Sequence, residues 1–146
     1  MTNLQNVQTG ENKFCGPAVL SAIAGITTDE AEKLIQSVRK NNGIPRSDDK
    51  VTGVWAAELN DAFRKLGWKV NNLPNMYGKS VYFIMTVITK PAFYLFYVHR
   101  HVVAIEISTD GKRYLIDNHT KQPISVGNSA RISQKVLGVT MLVKGE

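Results

Sequence analysis

The sequence predicts an α+β fold, with helices from its first half packed on an antiparallel sheet built from its second. Three observations carry this. Up to about residue 90, apolar residues recur at helical spacing between recognisable caps. From Lys90 the chain turns to runs of aromatic and β-branched residues, Phe93 to Val98 and His101 to Ile107, which read as strands. Asp110-Gly111 then stands between two such runs at the spacing of a tight hairpin turn. Helices followed by antiparallel strands in 146 residues describe one domain, residues 1–146, long enough to bury a core without disulfides.

Residues 1–14 read as an extended lead-in. Pro17 suits the first turn of a helix, where its missing N–H is not needed, and Ala18, Val19, Leu20, Ala22 and Ile23 make that helix apolar on several faces. Gly25 is its expected stop. Thr27 and Glu30 have the spacing of a capping box for a second helix, with Asp29 in its first turn and Arg39-Lys40 at its end. Ala31, Leu34, Ile35 and Val38 form its apolar face, and Asn41 to Asp49 a polar loop. A third helix is expected from Thr52 to about Leu66, with Val54, Trp55, Leu59, Ala62, Phe63 and Leu66 as its stripe and Gly67 as its end.

Trp68-Lys69-Val70 begins a short extended piece, and Asn71 to Gly78 reads as a loop. Ser80 caps a short helix through Val81, Phe83, Ile84 and Val87, with a strand as the alternative for so many β-branched residues. Beyond the two apolar strands and their break at His99-Arg100, Arg113 to Asp117 is the returning hairpin strand. Asn118 to Gln122 is a loop, and Val136 to Val143 a last strand.

The single cysteine excludes an internal disulfide and any multi-thiolate metal site, and it suits a reducing compartment. The first residues are polar, unlike a signal peptide, and the apolar run near Val81 to Ile88 is too short to span a bilayer. A cytoplasmic protein with no membrane partner is therefore expected. The net charge of +6 comes from scattered lysines and arginines that form no tract, so a solvated basic surface is expected and nucleic-acid binding ranks last. No pattern specifies an oligomeric state.

Chemistry gathers around Asn12-Lys13-Phe14-Cys15-Gly16-Pro17. A thiol at the start of a helix lies among unpaired N–H groups at the positive end of the macrodipole, which favours the nucleophilic thiolate. The alternative for a lone cysteine is a small buried apolar residue. A nucleophile needs a base, and of His99, His101 and His119, His101 opens a strand and has the most rigid support. The Asp110-Gly111 turn folds the strand ending Leu115-Ile116-Asp117-Asn118 back beside the start of the His101 strand. That places Asp117 or Asn118 beside His101, able to accept from one ring nitrogen and leave the other for the thiol. One cysteine and three histidines without paired spacing make a poor zinc site, and no cofactor or metal is expected.

The cysteine motif, the apolar helix after it, His101-Val102-Val103-Ala104-Ile105 and Tyr114-Leu115-Ile116-Asp117-Asn118 together resemble a papain-like cysteine peptidase. The resemblance is to the small single-domain kind encoded by bacteriophages and bacteria, similar also to the leader-cleaving peptidase domains of bacteriocin exporters. It implies a papain-like α+β fold with the nucleophile helix packed on the C-terminal antiparallel sheet. It implies Cys15 as nucleophile, His101 as general base and then acid, and Asp117 as its orienting group, with Asn118 the alternative. The family adds a glutamine before the cysteine as oxyanion donor. Here Gln8 lies seven residues before Cys15, one more than the usual spacing, and Asn12, three before, is the favoured donor with the Cys15 N–H.

The function so implied is a thiol peptidase acting on a protein or peptide substrate through a thioester, in a host cytoplasm if phage-encoded. The alternatives are a catalytically silent papain-like domain that binds a protein partner, and a thiol acyltransferase or deamidase on the same three residues.

Overall fold

In the computed structural model, which describes residues 2–144, the chain forms three helices before its first strand. Helix α1 (Cys15–Ala24) starts from an extended Phe14 and is closed by Gly25, whose φ of 76° is left-handed and whose N–H donates to the Ser21 carbonyl at 2.9 Å. Its residues Gly16 to Ile23 are all buried, as expected of a helix apolar on several faces. Helix α2 (Thr28–Asn41) opens on the expected capping box. The Thr27 hydroxyl accepts from the Glu30 N–H at 3.1 Å, and the Glu30 carboxylate accepts from the Thr27 N–H at 3.0 Å.

Helix α3 (Ala56–Lys65) begins later than the expected Thr52, and the reason is tertiary. The Val51 carbonyl accepts from Asn12 Nδ2 at 2.9 Å, and the Val51 N–H donates to Glu32 Oε2 at 2.9 Å. The Gly53 carbonyl accepts from Arg39 Nη2 at 2.7 Å. With these backbone groups held by side chains from the lead-in and from α2, residues 51–55 run irregularly. The helix starts where Glu58 accepts the Trp55 N–H at 3.1 Å. Val54 and Trp55, expected on a helical stripe, therefore line a surface, and Trp55 is 77% exposed.

Strand β1 (Trp68–Leu73) is longer than expected and takes in Asn71-Asn72-Leu73, placed at sequence level in a loop. Helix α4 (Val81–Val87) follows, capped by the Ser80 hydroxyl on the Phe83 N–H at 3.1 Å. Then come β2 (Ala92–Val98), β3 (His101–Ile107), β4 (Arg113–Ile116), a two-residue β5 (Ile124–Ser125) not foreseen in the sequence, a 3-10 turn at Val126–Asn128 and β6 (Val136–Lys144). The strands make one antiparallel sheet in the order β1-β6-β2-β3-β4-β5. The sheet is thus not wholly C-terminal: β1 pairs with β6 from Trp68 opposite Lys144 to Leu73 opposite Val139.

Both faces of the sheet are covered. Val19, Leu20, Ile35, Leu59 and Phe63 from the first three helices pack on Leu95, Val102 and Ala104. On the other face Val81 and Ile84 of α4 pack with Phe96, Val103, Ile105 and Leu115. Successive residues of β3 thus alternate between two cores, which is why Val102 to Ile105 are apolar without a break. Each fully buried side chain of this size contributes about 1.5–3 kcal/mol, so the central strands are the rigid part of the molecule. α1 lies against β3, which brings the N-terminus of the helix to the start of that strand. Among the described residues no helix is long and apolar enough to cross a membrane.

Candidate active site

Cys15 is the first residue of α1 and is partly buried. Burial pushes its thiol up. The hydrogen bond with His101 and the backbone N–H groups of Val102 and Gly16 outweigh it and hold the thiol below its usual 9.0. Gly16 is required here by space: a Cβ on it would stand 2.8 Å from both methyl groups of Val54.

His101 opens β3, and its side chain is only 9% exposed. Its Nε2 lies 2.9 Å from Asp117 Oδ2, which leaves Nδ1 for the sulfur. Burial disfavours the cation, but the Asp117 carboxylate and the Cys15 sulfur outweigh it and raise the His101 pKa to about 9, with Arg131 opposing. Asp117 follows β4 and is buried. Burial pushes its carboxyl up, while His101 and the N–H groups of Thr120 and His119 bring it down to about 2. Its Oδ1 accepts from the His119 N–H at 2.8 Å and the Thr120 N–H at 2.9 Å. A lowered thiol beside a raised imidazole favours transfer of the thiol proton to the ring, the arrangement that makes a sulfur nucleophilic.

The thiol opens into a groove of about 550 Å³. Val54 and Trp55 form one wall, and Tyr97, Arg100, Leu137 and Gly138 the other. The wall at 53–55 is clamped by Arg39, which gives Gly53 one hydrogen bond and binds Glu58 through two, at 2.9 and 3.1 Å.

No model of a known protein family matches the chain, and no curated protein matches it in sequence. Among solved structures the chain is similar to the peptidase domain of Streptococcus ComA, a bifunctional ABC transporter involved in a quorum-sensing pathway. The TM-score is 0.53 at 16% identity, over 94% of this chain and 96% of that one. It is also similar to a double-glycine-motif protease from an AMS/PCAT transporter, solved in complex with the leader peptide. There the TM-score is 0.56 at 16% identity, over 96% of this chain and 91% of that one. The fold is papain-like.

Within this papain-like fold the structure brings Cys15, His101 and Asp117 together and sends other expected residues elsewhere. Asn12 is buried, and its amide hydrogens go to Glu32 Oε2 at 2.7 Å and the Val51 carbonyl at 2.9 Å, while its Oδ1 accepts the Phe14 N–H. It shapes the turn into Cys15 and spends no donor on the groove. Gln8 Nε2 donates to the Gly25 carbonyl at 3.1 Å, away from the thiol. Asn118 turns from His101 and donates to the Lys13 carbonyl at 3.1 Å. The Cys15 N–H, in the first turn of α1, is a donor with no acceptor inside the helix.

Of two further groups at the site, Arg131 carried no sequence signal, and His119 stood in the sequence only as an alternative base. The Arg131 Nε stands 3.6 Å from Asp117 Oδ2, delivered by an irregular segment before β6. The His119 ring stacks on His101 with centroids 5.7 Å apart and planes 27° from parallel. Only tertiary folding places either one.

Proposed function

We propose that the chain is a cysteine peptidase that cleaves a peptide bond through a thioester on Cys15. The observation that carries the reading is His101 set between the Cys15 sulfur and Asp117 at an open groove, with the thiol lowered and the imidazole raised. The thiolate adds its electron pair to the carbonyl carbon, and the carbonyl electrons move to oxygen. That oxygen faces the Cys15 N–H at the positive end of α1. As the intermediate collapses, the C–N bond breaks and the imidazolium of His101 gives its proton to the leaving amine. Neutral His101 then takes a proton from water as the water attacks the thioester, the C–S bond breaks to restore the thiolate–imidazolium pair, and the product leaves as a carboxylic acid that loses its proton to solvent. Asp117 stays ionised throughout and holds the ring by its Nε2.

A peptide segment is the proposed substrate, supported by the similar protease that was solved with a leader peptide. The test is incubation with a diverse peptide mixture, followed by mass spectrometry of products and of the protein. Cleaved peptides and an acyl adduct on Cys15, both lost in Cys15→Ala, are expected. Cleavage that survives Cys15→Ala, or none with any peptide, contradicts the reading.

One observation favours a second reading, a papain-like domain that binds peptides without turnover. The amide of Asn12, the expected side-chain donor for the oxyanion, is consumed by Glu32 and Val51. An adduct with an electrophilic peptide but no hydrolysis of the parent peptide would establish that reading.

A further inference from the structure

We propose that the groove beside Cys15 selects peptides carrying a carboxylate side chain close to the bond attacked, and that Arg100 reads it. The inference deepens the peptidase reading and rests on it for the meaning of the groove.

Three observations converge on Arg100. The chain has six arginines, and five are engaged: Arg39 with Glu58, Arg46 with Asp49, Arg64 with Asp61, Arg113 with the Ile88 carbonyl and Arg131 with Asp117. Arg100 alone has no hydrogen-bond or ion-pair partner among the described residues. It also lines the groove with Cys15, and it is the only permanent charge there: the other lining residues are apolar, small or neutral, apart from His101, and none is acidic.

The third observation is the backbone. Arg100 occupies the two-residue turn between β2 and β3, opposite the pair Val98–His101, with a φ of 54°. Left-handed backbone at a hairpin turn suits glycine or asparagine, and an arginine there works against its Cβ. A strained backbone at a site rim is a mark of function when nothing within the fold uses the side chain it carries. Here the side chain lies unpaired at the mouth of the groove, one residue from His101.

A guanidinium in that place matches a carboxylate, which it binds with two parallel hydrogen bonds. Because Arg100 and His101 are neighbours, with Cα atoms about 3.8 Å apart, the reach of Arg100 covers the substrate residues nearest the carbonyl. Trp55, Val54 and Leu137 leave apolar surface for a neighbouring side chain. The substrate so described is an acidic–apolar peptide.

The test uses three vinyl sulfone peptides, identical except for glutamate, glutamine or lysine within two residues of the electrophile, together with iodoacetamide. Wild type is expected to form the Cys15 adduct about fivefold or more faster with the glutamate probe than with the glutamine probe, and slowest with the lysine probe. Arg100→Gly, which the turn accepts, is expected to erase the ranking and Arg100→Glu to invert it, each peptide rate being divided by the same variant's iodoacetamide rate. Equal rates for the three probes in wild type, or a ranking that persists in Arg100→Gly, overturns the inference.

Failure of the peptidase reading would look different, as iodoacetamide labelling with no adduct from any peptide probe. In that case binding of the parent peptides to Cys15→Ala, followed by the fluorescence of exposed Trp55, decides the charge preference. Tighter binding of the glutamate peptide supports it, and equal binding overturns it.

Discussion

Asp117 meets His101 through one oxygen and the backbone through the other. Oδ2 lies 2.9 Å from the His101 Nε2, while Oδ1 accepts the N–H groups of His119 and Thr120. The carboxylate is thereby fixed to the loop after β4, and the ring is fixed to the carboxylate. This pairing sets a pH window for stability. The His101 pKa is raised to about 9 from 6.5, so its contribution is full below 6.5 and is lost as pH rises through about 9. The Asp117 pKa is lowered to about 2 from 3.8, so its contribution is present above 3.8 and is lost as pH falls through about 2. Thermal melting across pH should show both limbs. Asp117→Asn should remove its share of the acid limb and reduce peptide turnover on the order of 10²-fold or more.

Gly16 gives a test of how closely α1 is pressed against the groove wall. Its Cβ position is 2.8 Å from Val54 Cγ1 and Cγ2. Gly16→Ala is expected to cost about 1–3 kcal/mol in denaturant unfolding, since Val54 is β-branched and stiff. The same substitution in a Val54→Ala background should cost clearly less, and a cycle with no coupling would show that the contact does not set the cost.

Asn12→Ala separates two roles. An amide that holds Glu32 and Val51 predicts a loss of about 1–3 kcal/mol in stability as the buried Val51 carbonyl and the half-buried Glu32 carboxylate lose their partner. Iodoacetamide labelling of Cys15 at temperatures below melting should change little. An oxyanion donor would instead lower turnover with stability intact.

Arg131 opposes the charge on His101 from beyond Asp117. Arg131→Gln should therefore move the His101 titration, followed by NMR of the imidazole ring, to higher pH. Arg131→Lys should keep most of the wild-type value, and an unchanged titration in Arg131→Gln would remove Arg131 from the electrostatics of the site.

What was legible in the sequence was local. Thr27 with Glu30, Gly25, Ser80 and Asp110-Gly111 each act within a few residues of themselves, and the elements they delimit lie where the sequence places them. The missed features depend on partners distant in the chain. Residues 52–55 have helical spacing, but Asn12, Glu32 and Arg39 hold the backbone at Val51 and Gly53. Asn71 and Asn72 look like loop residues, yet β6 gives them strand partners in Met141 and Thr140, and Asn72 Oδ1 accepts the Thr140 hydroxyl at 3.0 Å. At the site, the turn position brought Asp117 and Asn118 near His101, but it could not tell which would face the ring. The N–H groups of His119 and Thr120 capture Asp117, and the Lys13 carbonyl draws Asn118 away.

The central claim is a Cys15–His101 pair that is reactive at neutral pH. The most direct measurement is the rate of Cys15 alkylation by iodoacetamide from pH 5 to pH 10, in wild type and in His101→Ala. Fast labelling below the ordinary thiol pKa is expected in wild type, and labelling that rises only near that pKa in His101→Ala. Superimposable profiles that both rise only in the ordinary thiol range would contradict it and leave Cys15 a residue of the core.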